Sequence, residues 1–365
     1  MQNPTVSFVV PCYKLAHLLP ECVNSILGQT YSDLEVLIMD DYSPDNTPEV
    51  ARSFDDPRVR HIRNDPNLGH LKNYNKGINL SRGKYVWLIS ADDYLRKPHI
   101  LQRYVDTFNA HPKVGYAVCP GYGVQDGVET DLLGYYSLHG DRDRIFPGHA
   151  LLKKLLRTNF VLTAAGMVRR ECYEKVSFFP LDMPWCGDWY LWCVFALHYD
   201  VAYLAEPMVC YRQHAASMTN TLWQKSAVAC CEEETAVAWG VKSKADAAGA
   251  RAVSKQCLDA VGQVYARNIA LKRPGVSGSL TIEQFEESLR RNCENEVDRA
   301  RVRARVYAGL GNEYYWQADL ALAKEYYKKA LMKDPWMLSI YMKRLLLLAG
   351  KRGDDLRKTI FSLRG

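Results

Sequence analysis

The stretch YVWLISADDY, Tyr85–Tyr94, runs apolar and then stops at two adjacent aspartates. A short apolar run bounded by polar residues reads as a buried strand. Neighbouring carboxylates repel each other, and water solvates them better than a protein interior does. At the end of a strand the pair therefore calls for a basic side chain or a metal ion nearby. The alternative is a helix cap or a turn, both of which aspartate favours. The ten residues alone leave both readings open.

Working outward from this run, the first part of the chain alternates in type. VSFVVP reads as a strand and LAHLLPECVNSILGQ as a helix. LEVLIMDD is a second strand, also ending in two acids, and PEVARSF a short helix. VRHIRN, GHLKNYNKGINLS and YVWLIS follow as strand, helix and strand. Such alternation predicts an α/β fold with a mostly parallel sheet and helices on both faces. Ligands of such sheets bind beyond the carboxyl ends of the strands, where Asp40–Asp41 and Asp92–Asp93 both fall.

Beyond Ala110 the alternation loosens. VGYAVCPGYGVQDGVETDLL reads as a hairpin, and AGMVRRE and DVAYLAEPMVCYR as further strands. Between them MPWCGDWYLWCVFALHY holds a buried helix from Trp189 with Asp188 at its beginning, where an aspartate is also an ordinary N-cap. From about Leu222 the pattern is helical only, with a Gly/Pro/Ser-rich break at LKRPGVSGSLT. Two domains are therefore expected, residues 1–222 and 223–365. Within the second, VYAGLGNEYYWQADLALAKEYYKKALMKDP fits one tetratricopeptide-like helical hairpin near 303–336. Tyr307, Leu310, Gly311, Tyr314, Ala323, Tyr327, Ala330 and Pro335 stand at its large, small and helix-ending positions. One such hairpin cannot form a solenoid and must lean on its neighbours.

A chain of 365 residues with 48% hydrophobic and 24% charged residues is an ordinary globular composition. Its net charge of +6 is too mild to call for nucleic acid, and it suits an anionic substrate or membrane surface. No apolar run is long enough to span a bilayer, and the N-terminus lacks the pattern of a signal peptide, so a cytoplasmic location is expected. Eleven scattered cysteines without a CxxC spacing argue against both a disulfide framework and a zinc cluster.

Six stretches in order, VSFVVPCYK, DLEVLIMDDYSPDNT, NDPNLGH, NYNKGINLSRGKYVWLISADD, CGDWYLW and YRQHAASMT, are similar to the motifs of the family 2 glycosyltransferases. The resemblance covers roughly residues 4–222 and implies the GT-A fold, a Rossmann-like sheet that binds nucleotide sugars. It implies that Pro11 and Tyr13 line the site of base and ribose and that Asp41 reads the nucleobase. Ser43 and Asp45 continue that loop, and Asn75 and Gly77 lie on the helix flanking the nucleotide. Asp92 and Asp93 match the region that holds a divalent cation, Mn²⁺ or Mg²⁺, on the donor diphosphate. Arg212 and His214 match the basic motif that closes over the diphosphate, with His214 a further candidate metal ligand. Asp188 matches the catalytic base. Two departures stand out: Ser90 replaces the first acid of the family's Asp-x-Asp-Asp, leaving a hydroxyl to meet the ribose, and Gly187 replaces an acid before the base.

The implied reaction is an inverting transfer from a nucleotide-diphosphate sugar, UDP ahead of dTDP, to a saccharide or lipid-linked saccharide. Hard oxygen ligands such as Asp92 and Asp93 suit Mg²⁺ or Mn²⁺, which stabilise the departing diphosphate. Asp188 must reach the acceptor hydroxyl from the face opposite that leaving group. Trp185, in the loop before the base, and Trp189 are candidate acceptor contacts, although aromatic residues here are by default core. Arg169–Arg170 reads as a solvated strand end. The rival reading is a tetratricopeptide-type adaptor whose sheet domain binds a nucleotide without catalysis. For the helical region, acceptor holding, a protein partner, self-association and contact with the inner membrane face are all compatible with the residues. The basic tail KRLLLLAGKRGDDLRK suits an anionic surface, with a terminal capping helix as the alternative.

Overall fold

A computed structural model describes residues 3–134, 140–214, 217, 226–270 and 280–348. The chain divides into two compact units, Met1–Leu222 and Trp223–Gly365.

The first unit is built on an eight-stranded sheet of order β3-β2-β1-β4-β10-β6-β11-β9, in which β6 is Val114–Val118, β9 Arg144–Phe146, β10 Met167–Arg169 and β11 Asp200–Tyr203. Its leading strands are β1 (Val6–Cys12), β2 (Leu34–Asp40), β3 (Val59–Arg63) and β4 (Tyr85–Leu88). Those four are mutually parallel, β1 pairing with β2 and β4, and β2 with β3. Every residue of β1, β2 and β4 is buried, as expected of largely apolar strands covered on both faces, and the polar Ser7 and Glu35 among them bond to each other at 2.7 Å. Phe8, Val10 and Trp87 meet the core contributed by α1 (Leu19–Leu27) and a helix at Ile100–Ala110. α2 (Thr47–Arg52) links β2 to β3, and α3 (His70–Leu80) covers the opposite face. Gly77 of α3 is there for close approach: a Cβ would stand 2.4 Å from Val9 Cγ1 and 3.0 Å from Met39 Cγ. It therefore seats the helix on the sheet and does not face the nucleotide side.

The central strand of the later part, β10 (Met167–Arg169), runs antiparallel to both β4 and β6 (Val114–Val118). DVAYLAEPMVCYR is not one strand but two, in different sheets. β11 (Asp200–Tyr203) joins the large sheet, and β12 (Val209–Arg212) joins a small sheet of order β5-β12-β7-β8, where β5 is Tyr94–Leu95, β7 Gly121–Gln125 and β8 Val128–Leu133. Arg169 corrects the expectation of a solvated strand end. Its guanidinium is buried, donates to the carbonyls of Val114 (2.6 Å) and Phe108 (2.7 Å), and lies over the Tyr85 and Phe108 rings.

The second unit is entirely helical among its described residues. Its last three helices are Glu296–Trp316, Leu320–Lys333 and Leu338–Leu348. The first two form a helical hairpin in which Ala323, Tyr327 and Ala330 are buried. At Gly311 a Cβ would meet the Tyr327 ring at 2.5 Å, so the small and large positions read from the sequence do pack against each other. The Gly/Pro/Ser-rich break falls almost wholly outside the described residues, as does the basic tail beyond residue 348.

Candidate active site

The parallel strands β1, β2 and β4 end at one edge, and three loops meet there. The Cys12 carbonyl accepts from the Asp41 N–H, and the Pro11 carbonyl from the Ala91 N–H at 3.1 Å. Ser90–Asp93 is thereby folded into a turn directly beside the end of β1, with the Asp93 N–H closing onto the Ser90 carbonyl. The two loops before it carry backbone strain: Lys14 (φ 58°) and Tyr42 (φ 62°) are left-handed without being glycine. Tyr13 and Tyr42 both stand 45% exposed at this edge, with Lys14 Nζ 5.0 Å from the centre of the Tyr13 ring and the Arg63 guanidinium 4.9 Å from that of Tyr42.

Ser43, Asp41 and Asp45 build the floor of the site. The Ser43 hydroxyl accepts from the Lys14 N–H (3.2 Å), and Asp45 accepts from the Ala16 N–H (3.2 Å), so both tie the β2 loop to the β1 loop. Asp41 is buried, and its carboxylate accepts from the N–H groups of Leu68 (2.8 Å) and Gly69 (2.9 Å) and from Asn64 (2.9 Å). In this structure Asp41 holds the turn that enters α3.

Antiparallel pairing delivers the basic motif to the aspartates. Cys210 of β12 lies opposite Tyr94 of β5, so two residues on, Arg212 comes level with Asp92. The Arg212 N–H donates to Asp93 Oδ1 (2.9 Å) and its Nε to the Asp92 carbonyl (3.0 Å). His214 Nε2 lies 2.9 Å from Asp92 Oδ2. The remaining end of the Arg212 guanidinium pairs with Glu21 (2.5 Å), which braces the loop.

The two aspartates of the opening run thus have unequal lives. Asp93 is 4% exposed, and burial, reinforced by the Asp92 charge, pushes its carboxyl well above the usual carboxylate range. In this structure it is a buried acceptor for the Arg212 N–H. Asp92 shares its position with an imidazole, a mixed oxygen and nitrogen set that suits Mn²⁺ and, through the carboxylate, Mg²⁺. Among the described residues no third carboxylate, thiol or imidazole joins them. The donor set therefore fits a cation completed by ligands from outside the chain, such as diphosphate oxygens.

Asp188 arrives by a separate route. Because β10 opposes β4, with Met167 opposite Trp87, the turn Thr163–Ala165 ahead of it lies beyond the same edge. Trp87 Nε1 donates to the Ala164 carbonyl (2.7 Å) and the Tyr104 hydroxyl to that of Ala165 (2.8 Å), fixing this turn from below. The Thr163 hydroxyl then donates to Asp188 Oδ2 at 2.8 Å, and Asn159 Nδ2 donates to the same oxygen at 3.2 Å. Asp188 lies in the first turn of helix Gly187–His198, whose N-cap is Cys186, so it is not the cap. Burial raises its carboxyl above the ordinary range, against the hydrogen bonds from Thr163, Trp189 and Asn159.

The loop before Asp188 is held by α3. Asn75 exchanges two hydrogen bonds of 2.9 Å with the backbone of Phe179, and His70 Nε2 lies 2.9 Å from the Pro184 carbonyl. Asn75 is therefore a clamp on this loop. Between those two residues, Tyr74 stands edge-on to Phe179 with ring centroids 5.5 Å apart. After burial, the strongest influences on its hydroxyl are the charges of Asp92, Asp188 and Asp93, which raise its pKa. Both acidic arms of the site thus act electrostatically on one tyrosine. Trp185 is half-buried in the turn before the helix. Trp189 corrects the expectation of an acceptor contact: it is buried, and its indole donates to the Leu155 carbonyl (2.7 Å).

Residues 7–176 match the family described as Glycosyl transferase family 2. An uncharacterized glycosyltransferase of Nostoc sp. is 30% identical over 224 residues, 58% of this chain and 66% of the relative. Over residues 7–176 the chain is a glycosyl transferase family 2 domain. GlyG of Streptococcus pneumoniae is 36% identical over 184 residues (47% of this chain), and EpsJ of Bacillus subtilis 37% over 191 (52% of this chain). These two matches span 59% and 46% of the relatives' own lengths. Among solved structures, S. aureus TarS 1–349 in complex with UDP-GlcNAc shares the fold, with a TM-score of 0.61 at 15% identity over 91% of this chain and 92% of that one. Against the family pattern, Ser90 keeps its place at the carboxyl end of β4, half-buried beside the β1 loop. Thr163, Asn159, His70 and Tyr74 are the site residues that sequence reasoning missed. The first two look like ordinary loop residues, whereas the spacing of His70, Tyr74 and Asn75 along one side of a helix was readable.

Proposed function

We propose that this chain is an inverting glycosyltransferase that moves a sugar from a nucleotide-diphosphate donor, UDP ahead of dTDP, to a hydroxyl of a saccharide or lipid-linked acceptor. The observation that carries the reading is that one edge of the sheet gathers two acidic arms: Asp92, paired with His214 at 2.9 Å, and Asp188, held at 2.8 Å by Thr163 in the turn ahead of β10. One arm suits a diphosphate and its cation, the other a proton. UDP-GlcNAc and UDP occur in the solved TarS complexes, which favours a uridine donor for the shared fold.

In this reading Asp92 and His214 would hold Mn²⁺ or Mg²⁺, which when bound neutralises charge growing on the departing diphosphate. Tyr13 and Tyr42 offer faces to the base, and Ser90 offers a hydroxyl to the ribose. Asp188 takes the proton from the acceptor hydroxyl as that oxygen attacks the anomeric carbon. A carboxyl raised by burial is a better base than a solvated one, and Thr163 and Asn159 fix the oxygen they bind, leaving less freedom to misplace the proton. Displacement from the face opposite the diphosphate inverts the anomeric centre.

The test is a thermal-shift screen of nucleotide sugars with and without Mn²⁺, followed by assay of nucleoside diphosphate release. A ligand that binds only the native state raises its stability by mass action. A UDP-sugar that stabilises the chain and is turned over supports the reading. Stabilisation without turnover of any donor, with acceptor saccharides present, would favour the non-catalytic adaptor.

A further inference from the structure

The last described helix of the second unit, Leu338–Leu348, has two apolar sides. One packs inward: Ile340 is buried and Leu347 joins the cluster around Tyr315 and Tyr327. The other carries Leu338, Tyr341, Met342 and Leu345, spaced i, i+3, i+4 and i+7, which places them on one stripe of the helix. They are 74%, 43%, 63% and 58% exposed. Trp336, in the turn before the helix, is 87% exposed, and Met332 is 72% exposed. A stripe this apolar, left in water, needs a partner.

Charge decides which. From Lys324 to Leu348 the sequence carries six lysines and arginines against two acids. Lys333 is exposed beside Trp336, and Arg344 lies within the helix next to Leu345. An apolar helix stripe with a tryptophan and a tyrosine at its border and cations around it matches the headgroup boundary of an anionic bilayer. There aromatic rings sit at the interface and basic residues are drawn to lipid phosphates. No helix among the described residues is long and apolar enough to cross a membrane. We propose that the stripe Leu338–Tyr341–Met342–Leu345, with Trp336, docks this chain peripherally on an anionic lipid surface.

The proposal is tested by sedimenting the full chain with vesicles of phosphatidylcholine alone and of phosphatidylcholine with phosphatidylglycerol, at low and high salt. The readout involves no sugar transfer, so its failure is separate from failure of the glycosyltransferase reading. Binding is expected with the anionic vesicles only, and is expected to fall with salt. Two variants separate the contributions, and circular dichroism and melting confirm that both fold, since every altered side chain is at least partly exposed. Trp336→Ser with Met342→Gln is expected to abolish binding. Lys333→Gln with Arg344→Gln is expected to weaken it about fivefold for each basic residue lost. Wild-type protein that stays in solution with every vesicle overturns the proposal, as do variants that sediment like wild type. If the wild type instead forms a larger particle in gel filtration that Trp336→Ser with Met342→Gln dissolves, and no vesicle binds, the stripe joins two copies of the chain and the lipid assignment is wrong.

Discussion

Two neighbouring aspartates at the end of a strand have opposite duties, and the difference comes from where each carboxyl points. Asp92 meets His214 at 2.9 Å, whereas Asp93 is buried on the backbone N–H of Arg212. Asp92→Asn is therefore expected to weaken Mn²⁺-dependent binding of a nucleotide sugar at least ~10-fold, the lower scale for disturbing a metal's ligand environment. Asp93→Asn keeps an oxygen for the Arg212 N–H and is expected to leave that dependence nearly unchanged. Calorimetric titration of donor with and without Mn²⁺ checks both, and equal losses would mean that Asp93 also ligates. Asp188 carries a pH signature. Its raised carboxyl must be ionised to accept a proton, so activity is expected to fall as pH drops through that raised value. The acid limb of kcat/KM should thus lie above the ordinary aspartate value of 3.8. The same shift makes the folded state bind the proton more tightly than the unfolded chain. Asp188 therefore costs stability as pH rises from 3.8 through its folded value. An acid limb at or below that ordinary value would contradict the buried-base assignment.

Helix α3 is the element that joins the two halves of the site. Its entry turn is held by Asp41, its inner side by Gly77 against Val9 and Met39, and its outer side grips Phe179 and Pro184 ahead of Asp188. His70→Ala with Asn75→Ala is expected to lower kcat while leaving donor affinity close to wild type, because the clamp touches the base's loop and not the donor. Separate measurement of kcat and donor Kd decides it; loss of donor binding with intact turnover would put these side chains on the nucleotide. Gly77→Ala forces a methyl against Val9 and is expected to cost ~1–3 kcal/mol of stability, read from denaturant unfolding. This element also marks how far the sequence could be read. The strand–helix alternation showed α3 as a helix, since its apolar positions recur at helical spacing. Which side chains faced the sheet and which faced a loop a hundred residues away depended on the Asn75–Phe179 pairing, which no local pattern encodes. Trp189 and Arg169 were misread for the same reason: a tryptophan or an arginine looks alike in sequence whether it meets solvent or a buried carbonyl.

At the level of the molecule, the parallel sheet and its carboxyl edge were legible because β1, β2 and β4 are mostly apolar and end in polar loops. The small second sheet was not, because β5 and β12 are only two and four residues long and their pairing is non-local. Yet that pairing brings Arg212 and His214 back to Asp92 and completes the donor side. The helical unit showed its hairpin through the fit of Gly311 to Tyr327, while its exposed stripe emerged only once the buried side of the last helix was known. The central claim joins these scales: one edge of one sheet holds a diphosphate-side acid and a separate base. Its most direct test is nucleoside diphosphate release from a UDP-sugar by the full chain and by Asp188→Asn, with Mn²⁺ and acceptor present and donor binding measured in parallel. The account expects turnover by the wild type and a loss of ~10²–10⁴ in the variant at unchanged donor affinity. Near-wild-type release by a folded Asp188→Asn protein would contradict it.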